Sequence, residues 1–362
     1  MKSKIRICLV GGEDAHKRIG ISRFLIESYF EVTVLGSKDY SYPSDITFIK
    51  YNLNRSLNLI SDFKTLLEYR RIFKNNNFDI IQTFDTKPAF LVPLSQLFVK
   101  VKIVRTITGL GTVFMSNKLT FRILRKVYIL LHKLSKRKVA HTTFQNKDDW
   151  NSFLNYGLVN KDNSSLIYGS GIDLSNYSKF KKKPSEKFTF ISIGRLVYEK
   201  GVVNYLEAAK KCIDDGYDFN FLLVGPLEEN STRLNKDLLN KYSKQVRWLG
   251  SRNDILNLLS ISDVFVLPTF REGFSRVLLE ASAAGIPSIT TNVPGTREII
   301  RDNKEGLLIN VNNSSELAQA MINISLDKNR YNDFARSAKN HVKQFNLKEI
   351  SSAYINLYNK IA

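Results

Sequence analysis

Two glutamates in the second half of the sequence, Glu272 and Glu280, have the types and spacing expected of a ligand site. Glu272 follows the apolar segment 263–268, and Gly273 permits close approach of the backbone. A helix predicted to begin near Ser275 places Glu280 about one and a half turns in, among apolar residues. A carboxylate there needs a partner, and ribose hydroxyls are suitable. A salt bridge or a helix N-terminal charge explains either glutamate alone but explains the pair poorly, so we expect both carboxylates to face one pocket.

Two cations, Arg195 and Lys200, flank a second loop. This loop follows the predicted strand 188–193 and precedes the predicted helix 202–212. Backbone N–H groups and the helix dipole favour an anion at such a position. The pattern predicts that the two side chains clamp a diphosphate, with two solvated surface cations as the alternative.

The first half opens on another strand that runs into glycine, Ile7–Gly12. The full G-x-G-x-x-G spacing is absent, and no acidic residue follows at the distance typical of a nicotinamide dinucleotide site. Gly11 and Gly12 therefore either form a tight turn or let the backbone approach a phosphate or a sugar.

Short apolar runs alternate with helix-period segments along the whole chain, which predicts parallel sheets built from βα units. The predicted strands are Ile5–Val10, Val32–Leu35, Ile80–Thr83, Lys102–Ile107, Val139–Phe144, Phe188–Ile193, Phe219–Val224, Val246–Leu249, Val264–Leu267, Ser288–Thr290 and Leu307–Ile309. A lysine-rich, helix-breaking run at 179–185 predicts the linker. We expect an α/β fold of two Rossmann-like, doubly wound domains facing across a cleft, residues 1–178 with a last helix at 347–362, and residues 184–346.

Several function classes are disfavoured by composition. The 2 cysteines, Cys8 and Cys212, are far apart among 362 residues, so we expect no disulfide framework and no zinc cluster, and a reducing, cytoplasmic setting fits best. The N-terminal apolar run is interrupted by Arg6 and closed by glycines, unlike a signal peptide. No window is long and apolar enough to predict a membrane span.

Positive charge is concentrated in the first half. Residues 1–183 hold 31 lysines and arginines against 14 acidic residues, whereas residues 184–362 hold 23 against 20. Such asymmetry predicts one surface that meets a polyanion, either nucleic acid or an anionic membrane.

One segment of this half, Lys118–Lys138, can be placed on a helical wheel, with apolar residues opposite a basic arc. The basic arc consists of Arg122, Arg125, Lys126, Lys133, Lys136 and Arg137. We expect this arc to face lipid headgroups or a lipid diphosphate, with a solvated surface helix as the alternative. The sequence shows no RRM, KH or zinc-finger signature, so nucleic acid is not a predicted partner.

The motifs above resemble those of glycosyltransferase family 4, retaining enzymes that use nucleotide sugars and have the GT-B arrangement of two Rossmann-like domains. The match is closest over Phe188–Asn310, where the following motifs occur in order. They are Gly194-Arg195-Leu196, Glu199-Lys200-Gly201, Leu223-Val224-Gly225-Pro226, the pair Glu272 and Glu280, and Val293-Pro294-Gly295-Thr296-Arg297-Glu298. Tyr168–Asp173 is similar to the motif that ends the family's first domain.

The resemblance implies a role for each motif residue. Arg195 and Lys200 would hold the donor diphosphate, helped by backbone N–H groups of Phe274 and Ser275; Glu280 would bind the ribose. Glu272 would be the catalytic carboxylate that addresses the donor sugar. The stretch 249–254, with Gly250 and Arg252, would border the nucleobase. The acceptor and donor-sugar side of the site would include Gly12, His16, Thr108 and Gly109.

One departure from the family pattern lies in the first domain. Many relatives carry His-Gly there, whereas this sequence reads Thr106-Ile107-Thr108-Gly109-Leu110-Gly111, so that Thr108 takes the histidine position. The Thr-Gly-Leu-Gly version is similar to the subset that builds O-antigen, capsule and glycoprotein glycans on polyprenyl diphosphate carriers. That subset commonly uses UDP-N-acetylhexosamines or UDP-hexoses.

Together these features predict a retaining hexosyltransferase that acts at the inner face of the cytoplasmic membrane. It would move a sugar from a UDP-sugar to an undecaprenyl-diphosphate-linked saccharide, without a cofactor or metal, because Arg195 and Lys200 would neutralise the leaving diphosphate and no D-x-D cluster is evident. One alternative is a soluble sugar or protein acceptor. An alternative of another class is a non-catalytic protein that binds a nucleotide sugar or nucleic acid.

Overall fold

The computed structural model describes residues 4–54, 56, 58–97, 99–114, 118–228 and 233–362. The chain divides into two compact units. The first comprises Met1–Gly171 with Leu347–Ala362, and the second comprises Ile172–Asn346.

The first unit is built on a sheet of seven parallel strands in the order β3-β2-β1-β4-β5-β6-β7. Its strands are β1 (Ile5–Val10), β2 (Phe30–Gly36), β3 (Thr47–Lys50), β4 (Ile80–Thr83), β5 (Lys102–Ile107), β6 (Val139–Phe144) and β7 (Ser164–Leu166). The helices between them are α1 (Ile19–Glu27), α2 (Leu59–Asn75), α3 (Pro88–Ser95), α4 (Leu119–Ser135) and α5 (Lys147–Asn155). The strand order reverses between β1 and β4, which is where ligands bind in open parallel sheets.

The second unit has a sheet of six parallel strands in the order β10-β9-β8-β11-β12-β13. Its strands are β8 (Thr189–Ile193), β9 (Asn220–Val224), β10 (Val246–Trp248), β11 (Val264–Leu267), β12 (Ser288–Thr291) and β13 (Gly306–Ile309). Its helices are α6 (Val202–Asp214), α7 (Lys236–Lys241), α8 (Ile255–Ser260), α9 (Arg276–Ala284), α10 (Ser314–Leu326) and α11 (Lys328–His341). Here the order reverses between β8 and β11, the two strands that precede the predicted diphosphate and carboxylate loops.

The last helix, α12 (Leu347–Ile361), returns to the first unit and packs on α1. It contributes two buried tyrosines. The Tyr358 hydroxyl donates a 3.0 Å hydrogen bond to Gln82 Oε1 on β4, and the Tyr354 hydroxyl lies 3.2 Å from Thr106 Oγ1 on β5. These polar contacts fix α12 on the sheet in addition to its apolar packing.

The division between the units falls earlier in the chain than the sequence indicated. Residues 172–178, assigned above to the first domain, group with the second unit. The Ile172 N–H donates to the Phe345 carbonyl over 3.0 Å, and the turn at 174–177 packs on α9. The lysine-rich run is therefore not the point at which the units separate.

Candidate functional site

The two candidate loops of the second unit follow β8 and β11, which are neighbours in the sheet. Their carboxyl ends meet at one edge, so the loops are adjacent. Gly201 has a left-handed φ of 72°, and a Cβ there would lie 1.8 Å from the Pro268 carbonyl oxygen. Only glycine permits this approach. The Phe270 N–H then donates to the Glu199 carbonyl over 2.8 Å, which joins the two loops.

This junction brings Lys200 and Glu272 together. The Lys200 ammonium pairs with Glu272 Oε1, and the side chains are 23% and 11% exposed. An ion pair this sheltered is screened less than a surface pair. The site therefore holds a fixed cation and a fixed carboxylate in direct contact.

A third loop, which follows β12 and contains Pro294 and Gly295, contacts the backbone of Glu272. Gly295 has a φ of 82°, and a Cβ on it would lie 2.6 Å from the Glu272 carbonyl oxygen. The Glu272 N–H donates to the Pro294 carbonyl over 3.1 Å, and the Gly295 N–H donates to Glu298 Oε2 over 2.8 Å. The Pro294-Gly295 turn thus sets the backbone path of the catalytic candidate.

The Ser275 N–H, which the motifs predict to serve a phosphate or sugar, donates to the Gly295 carbonyl over 3.2 Å in this structure. The Ser275 hydroxyl is buried and has no hydrogen-bond partner in the part of the chain that the structure describes. It is thus the polar group that this residue can offer to a ligand. The neighbouring Phe274 packs its ring edge-on against Phe345, with 5.2 Å between centroids.

Glu280 lies on α9 and is 17% exposed. It accepts a 3.1 Å hydrogen bond from Arg276 Nε, one turn earlier, so it has its own partner rather than sharing one with Glu272. The pKa of Tyr177 is raised by burial and further by the Glu280 carboxylate, which is evidence that this charge is close. The Glu280 carboxylate, the Arg276 guanidinium and the Tyr177 phenol therefore lie near one another, and together they can donate and accept hydrogen bonds to the hydroxyl groups of a ligand.

Arg195 follows β8 but does not reach Glu272. Its guanidinium contacts Glu228 Oε1 at 2.5 Å, and both side chains are largely exposed. The adjoining Gly194 is contacted by Gly225, whose φ is 140° and whose Cβ, if present, would lie 1.7 Å from the Gly194 carbonyl oxygen. The loops after β8 and β9 pack closely at Gly194 and Gly225, and the Arg195 side chain extends from them into solvent.

The predicted nucleobase segment follows β10. Gly250 has a left-handed φ of 67°, and its carbonyl accepts a 2.8 Å hydrogen bond from the Gly225 N–H. Arg252 makes a two-point contact with Asp254, at 2.8 and 2.7 Å, and the hydrogen bonds of this pair raise the pKa of Arg252 and lower that of Asp254. Gly250 therefore lies with the loops after β8 and β9, while Arg252 is occupied at the surface.

In the first unit, the predicted acceptor-side residues lie on loops after different strands. Gly12 follows β1, and its N–H donates to Asp85 Oδ2 over 2.7 Å. The ring of His16 stacks on Tyr40 at 4.5 Å between centroids. Thr108 and Gly109 follow β5 and are half-buried. Asp85 was not identified from the sequence; its position two residues after the strand at 80–83 was the available signal.

The amphipathic helix α4 differs from the prediction in two respects. Arg125 does not face outward, because its guanidinium donates to the Val113 carbonyl at 3.3 and 3.1 Å and lies over the Phe114 ring. The apolar side of the helix is only partly used for packing. The exposed apolar residues are Leu119, Ile123, Val127, Leu130 and Leu134. Basic and apolar rows therefore share one exposed face of α4, with Arg122, Lys126 and Lys133 in the basic row, and Arg137 is exposed in the turn that follows the helix.

Lys136, also part of the predicted arc, is exposed and donates to the Gly157 carbonyl over 3.1 Å.

Among the described residues, no group of three or more histidine, cysteine or acidic side chains has a metal-binding arrangement. Over the same residues, no helix combines the length and apolarity needed to cross a bilayer.

Comparison with known proteins identifies both halves of the chain. Residues 6–146 match the family described as glycosyl transferase 4-like, and residues 175–341 match glycosyl transferases group 1. Each match falls within one of the two units.

Two curated relatives align over most of the chain. An N,N'-diacetylbacillosaminyl-diphospho-undecaprenol alpha-1,3-N-acetylgalactosaminyltransferase of Campylobacter jejuni is 28% identical over 97% of this chain and 96% of its own length. A UDP-Gal:alpha-D-GlcNAc-diphosphoundecaprenol alpha-1,3-galactosyltransferase of Escherichia coli is 29% identical over 80% of this chain and 77% of its own length.

Solved structures share the fold at low identity. HepE of Anabaena, in complex with UDP and glucose, superposes with a TM-score of 0.77 at 16% identity, covering 98% of this chain and 100% of its own. A sucrose-phosphate synthase of Thermosynechococcus elongatus superposes with a TM-score of 0.82 at 17% identity, covering 99% of both chains. The resemblance drawn from the motifs is thereby confirmed, and the chain belongs to the GT-B glycosyltransferases that join a glycosyl transferase 4-like domain to a group 1 domain.

Proposed function

We propose that this glycosyltransferase transfers a hexose or N-acetylhexosamine from a UDP-sugar to a saccharide carried on undecaprenyl diphosphate, with retention of the anomeric configuration. The observation that carries the proposal is the sheltered Lys200–Glu272 pair at the switch point of the second sheet. The two curated relatives, whose names specify diphospho-undecaprenol acceptors, support the acceptor class.

The proposed chemistry follows from the charges present. In the transition state, a sugar gains positive charge while a diphosphate leaves with negative charge, and fixed opposite charges stabilise both without reorganisation. Lys200 serves the diphosphate and Glu272 serves the sugar. The Lys200–Glu272 ion pair keeps both side chains in place. When a nucleotide sugar binds, Lys200 would contact the diphosphate and Glu272 would contact the sugar, so that each side chain gains a partner on the substrate.

Glu280 is proposed to bind the ribose. Its carboxylate keeps acceptor capacity while receiving Arg276 Nε, and two neighbouring ribose hydroxyls can donate to it. The Ser275 hydroxyl, buried without a partner among the described residues, is a further group that a phosphate oxygen would satisfy.

A peripheral site of action on the anionic inner face of the cytoplasmic membrane is proposed from the exposed surface of the first unit. Helices α2 and α4 both pack on α3, and both expose apolar side chains. On α2 the exposed apolar residues are Leu59, Ile60, Phe63 and Leu67. Lysines and arginines lie beside the apolar residues of both helices, which is the composition of helices that lie in a lipid interface.

The proposal is tested by supplying undecaprenyl-diphosphate-linked N-acetylglucosamine with a panel of UDP- and GDP-sugars. We expect UDP release coupled to a lengthened lipid-linked saccharide with one UDP-sugar. Proton coupling constants of the product should report the same anomeric configuration as the donor. Transfer only to free sugars or proteins would contradict the acceptor class, and an inverted linkage would contradict retention.

A further inference from the structure

Asp85 has an unusual backbone conformation at the carboxyl end of β4. Its φ is 77°, a left-handed value that few residues other than glycine adopt. Its Oδ2 accepts the Gly12 N–H at 2.7 Å, which ties it to the loop after β1. Residues kept in such conformations cluster at ligand sites, where the surrounding structure maintains the strain. The position is also the switch point of the first sheet.

A pocket of about 290 Å³ opens beside this carboxylate. Its lining consists of Gly12, Leu53, Asp85, Thr86, Lys87 and Pro88. The cation in the lining is already occupied, because Lys87 Nζ lies 2.5 Å from Asp62 and donates to the Ser56 carbonyl over 2.7 Å. Among the described residues, Asp85 Oδ1 accepts no hydrogen bond, so the pocket presents a carboxylate oxygen that its own walls do not satisfy.

A buried cation lies near the Asp85 carboxylate. Arg18 is buried against the Phe84 ring, 3.9 Å from its centroid, and donates to Ser170 Oγ. Burial lowers the pKa of Arg18, and the nearby Asp85 carboxylate opposes that change. A buried guanidinium thus stands close to Asp85 without hydrogen bonding to it.

The lining matches one ligand chemistry. A sugar ring offers hydroxyl donors on its edge and C–H groups on its faces, which suit a carboxylate and the apolar walls of Leu53 and Pro88. We propose that Asp85 is a specificity-determining residue that accepts a hydrogen bond from a hydroxyl of the saccharide acceptor. This inference rests on the proposed function, because it deepens the identity of the acceptor side.

The decisive variant is Asp85→Asn. Asparagine tolerates the left-handed conformation, and its amide oxygen can still accept the Gly12 N–H. The pocket would then present an NH₂ donor in place of an acceptor oxygen. We expect the KM for undecaprenyl-diphosphate-linked N-acetylglucosamine to rise about 10- to 100-fold, the range for a lost hydrogen bond to a charged group. The KM for the UDP-sugar and UDP release without acceptor should stay within about threefold.

A matched control lies at the other end of the same two strands. Asp79 precedes β4, and its Oδ2 accepts the Arg6 N–H of β1 at 2.8 Å, just as Asp85 accepts the N–H of Gly12. Asp79→Asn therefore makes the same chemical change in the same kind of contact, away from the pocket. It should leave the acceptor KM unchanged.

A second variant narrows the pocket and keeps the carboxylate of Asp85. A methyl group on Gly12 would lie 3.1 Å from Leu53 Cδ2 and 3.3 Å from Asp85 Oδ2, so Gly12→Ala presses into the proposed sugar position. We expect it to raise the acceptor KM as well. This variant decides the matter should Asp85→Asn fail to fold.

Direct binding separates this inference from the proposed function. Calorimetry with farnesyl-diphosphate-linked N-acetylglucosamine needs no transfer, so it measures the Asp85 contribution even if no donor is accepted. Weaker binding by Asp85→Asn than by Asp79→Asn supports the inference. Equal acceptor binding, or a change confined to UDP or the donor KM, would overturn it. Absence of transfer by the unaltered protein with every donor would instead count against the proposed function.

Discussion

Lys200 and Glu272 are 72 residues apart in the sequence and form an ion pair at the edge of the second sheet. The loops that carry the two side chains are brought together by close backbone contacts. Gly201 lies against the Pro268 carbonyl, and Gly295 lies against the backbone of Glu272. The pair therefore holds its geometry before any substrate arrives.

Replacing Glu272 tests its proposed role at the sugar. We expect Glu272→Gln to lower turnover about 100-fold or more, because the carboxylate stabilises positive charge that exists only in the transition state. UDP affinity should change by no more than a few-fold. Steady-state kinetics and UDP calorimetry measure the two effects, and near-normal turnover with every donor would contradict the assignment.

Glu280→Gln should behave differently. The amide keeps one acceptor oxygen but loses the charge that strengthens hydrogen bonds from ribose hydroxyls. We expect the donor KM to rise about tenfold while turnover changes little. The variant should also lower the pKa of Tyr177, since the Glu280 charge raises it. A drop in turnover matching that of Glu272→Gln would argue against separate roles.

The diphosphate clamp predicts weaker UDP binding on loss of either cation. Lys200→Ala should cost about 1.5–3 kcal/mol of UDP binding, the scale of a charge-assisted hydrogen bond. Arg195→Ala should cost less, because Arg195 is paired with Glu228 at an exposed site. Glu228→Gln releases Arg195 and should tighten UDP binding. Isothermal titration calorimetry with UDP ranks the affinities of the three variants.

A clamp made of side-chain cations predicts that activity persists in EDTA. Activity that is lost on chelation and restored by Mg²⁺ or Mn²⁺ would contradict a metal-free clamp.

The exposed face of α4 predicts salt-dependent binding to anionic vesicles. Changing Arg122, Lys126 and Lys133 to glutamate should release the protein, since each cation near the surface contributes about 1 kcal/mol. Arg125 is left unchanged because it is bound to Val113.

A control triplet on the second unit tests whether the change in net charge alone releases the protein from vesicles. It consists of the exposed residues Lys211, Lys236 and Lys244. The same substitutions there should leave vesicle sedimentation intact. Changing Ile123 and Leu130 to serine should weaken the binding that remains at high salt, because apolar insertion is not screened. Release by the control triplet to the same extent would show that net charge, rather than α4, determines binding.

His132 predicts how stability responds to acid. It is fully buried on α4, with Nδ1 2.7 Å from Arg105 NH1, and burial together with the Arg105 charge places its pKa well below the usual value. The unfolded chain takes up a proton below about pH 6.5, whereas the folded protein does not, so stability falls as pH drops through that point. The slope from this group reaches about 1.4 kcal/mol per pH unit.

His132→Asn removes the titration while leaving an acceptor for Arg105. Urea unfolding at pH 7.5 and pH 5.5 should show a smaller loss of stability on acidification in the variant than in the unaltered protein. An equal loss in both would assign the acid sensitivity to other groups.

The sequence predicted eleven strands to within about two residues at either end because their apolar runs are buried by the sheets. It missed β3 and β7. Both are short edge strands, and β3 is partly exposed on both sides while β7 begins with two serines. Without burial on two faces, an edge strand leaves little hydrophobic pattern.

The candidate site was predictable as motifs but not as contacts. Gly201 and Gly295 marked turns, yet the partners they approach come from distant loops. The engaged Ser275 N–H and the inward Arg125 depend on tertiary packing in the same way. Asp85 looked like an ordinary loop residue because φ is not written in the sequence.

The return of α12 to the first unit has a consequence for biosynthesis. Tyr354 and Tyr358 complete the hydrogen bonds of Thr106 and Gln82, yet the ribosome makes them only after all of residues 172–346. Domains generally fold in order of synthesis, but here the first unit is completed by a helix that is made after the second unit. Until α12 is made, the apolar surface beside α1 and the polar groups of Thr106 and Gln82 lack the partners that this helix supplies, so we expect the first unit to reach its final stability only after the second unit has been synthesised.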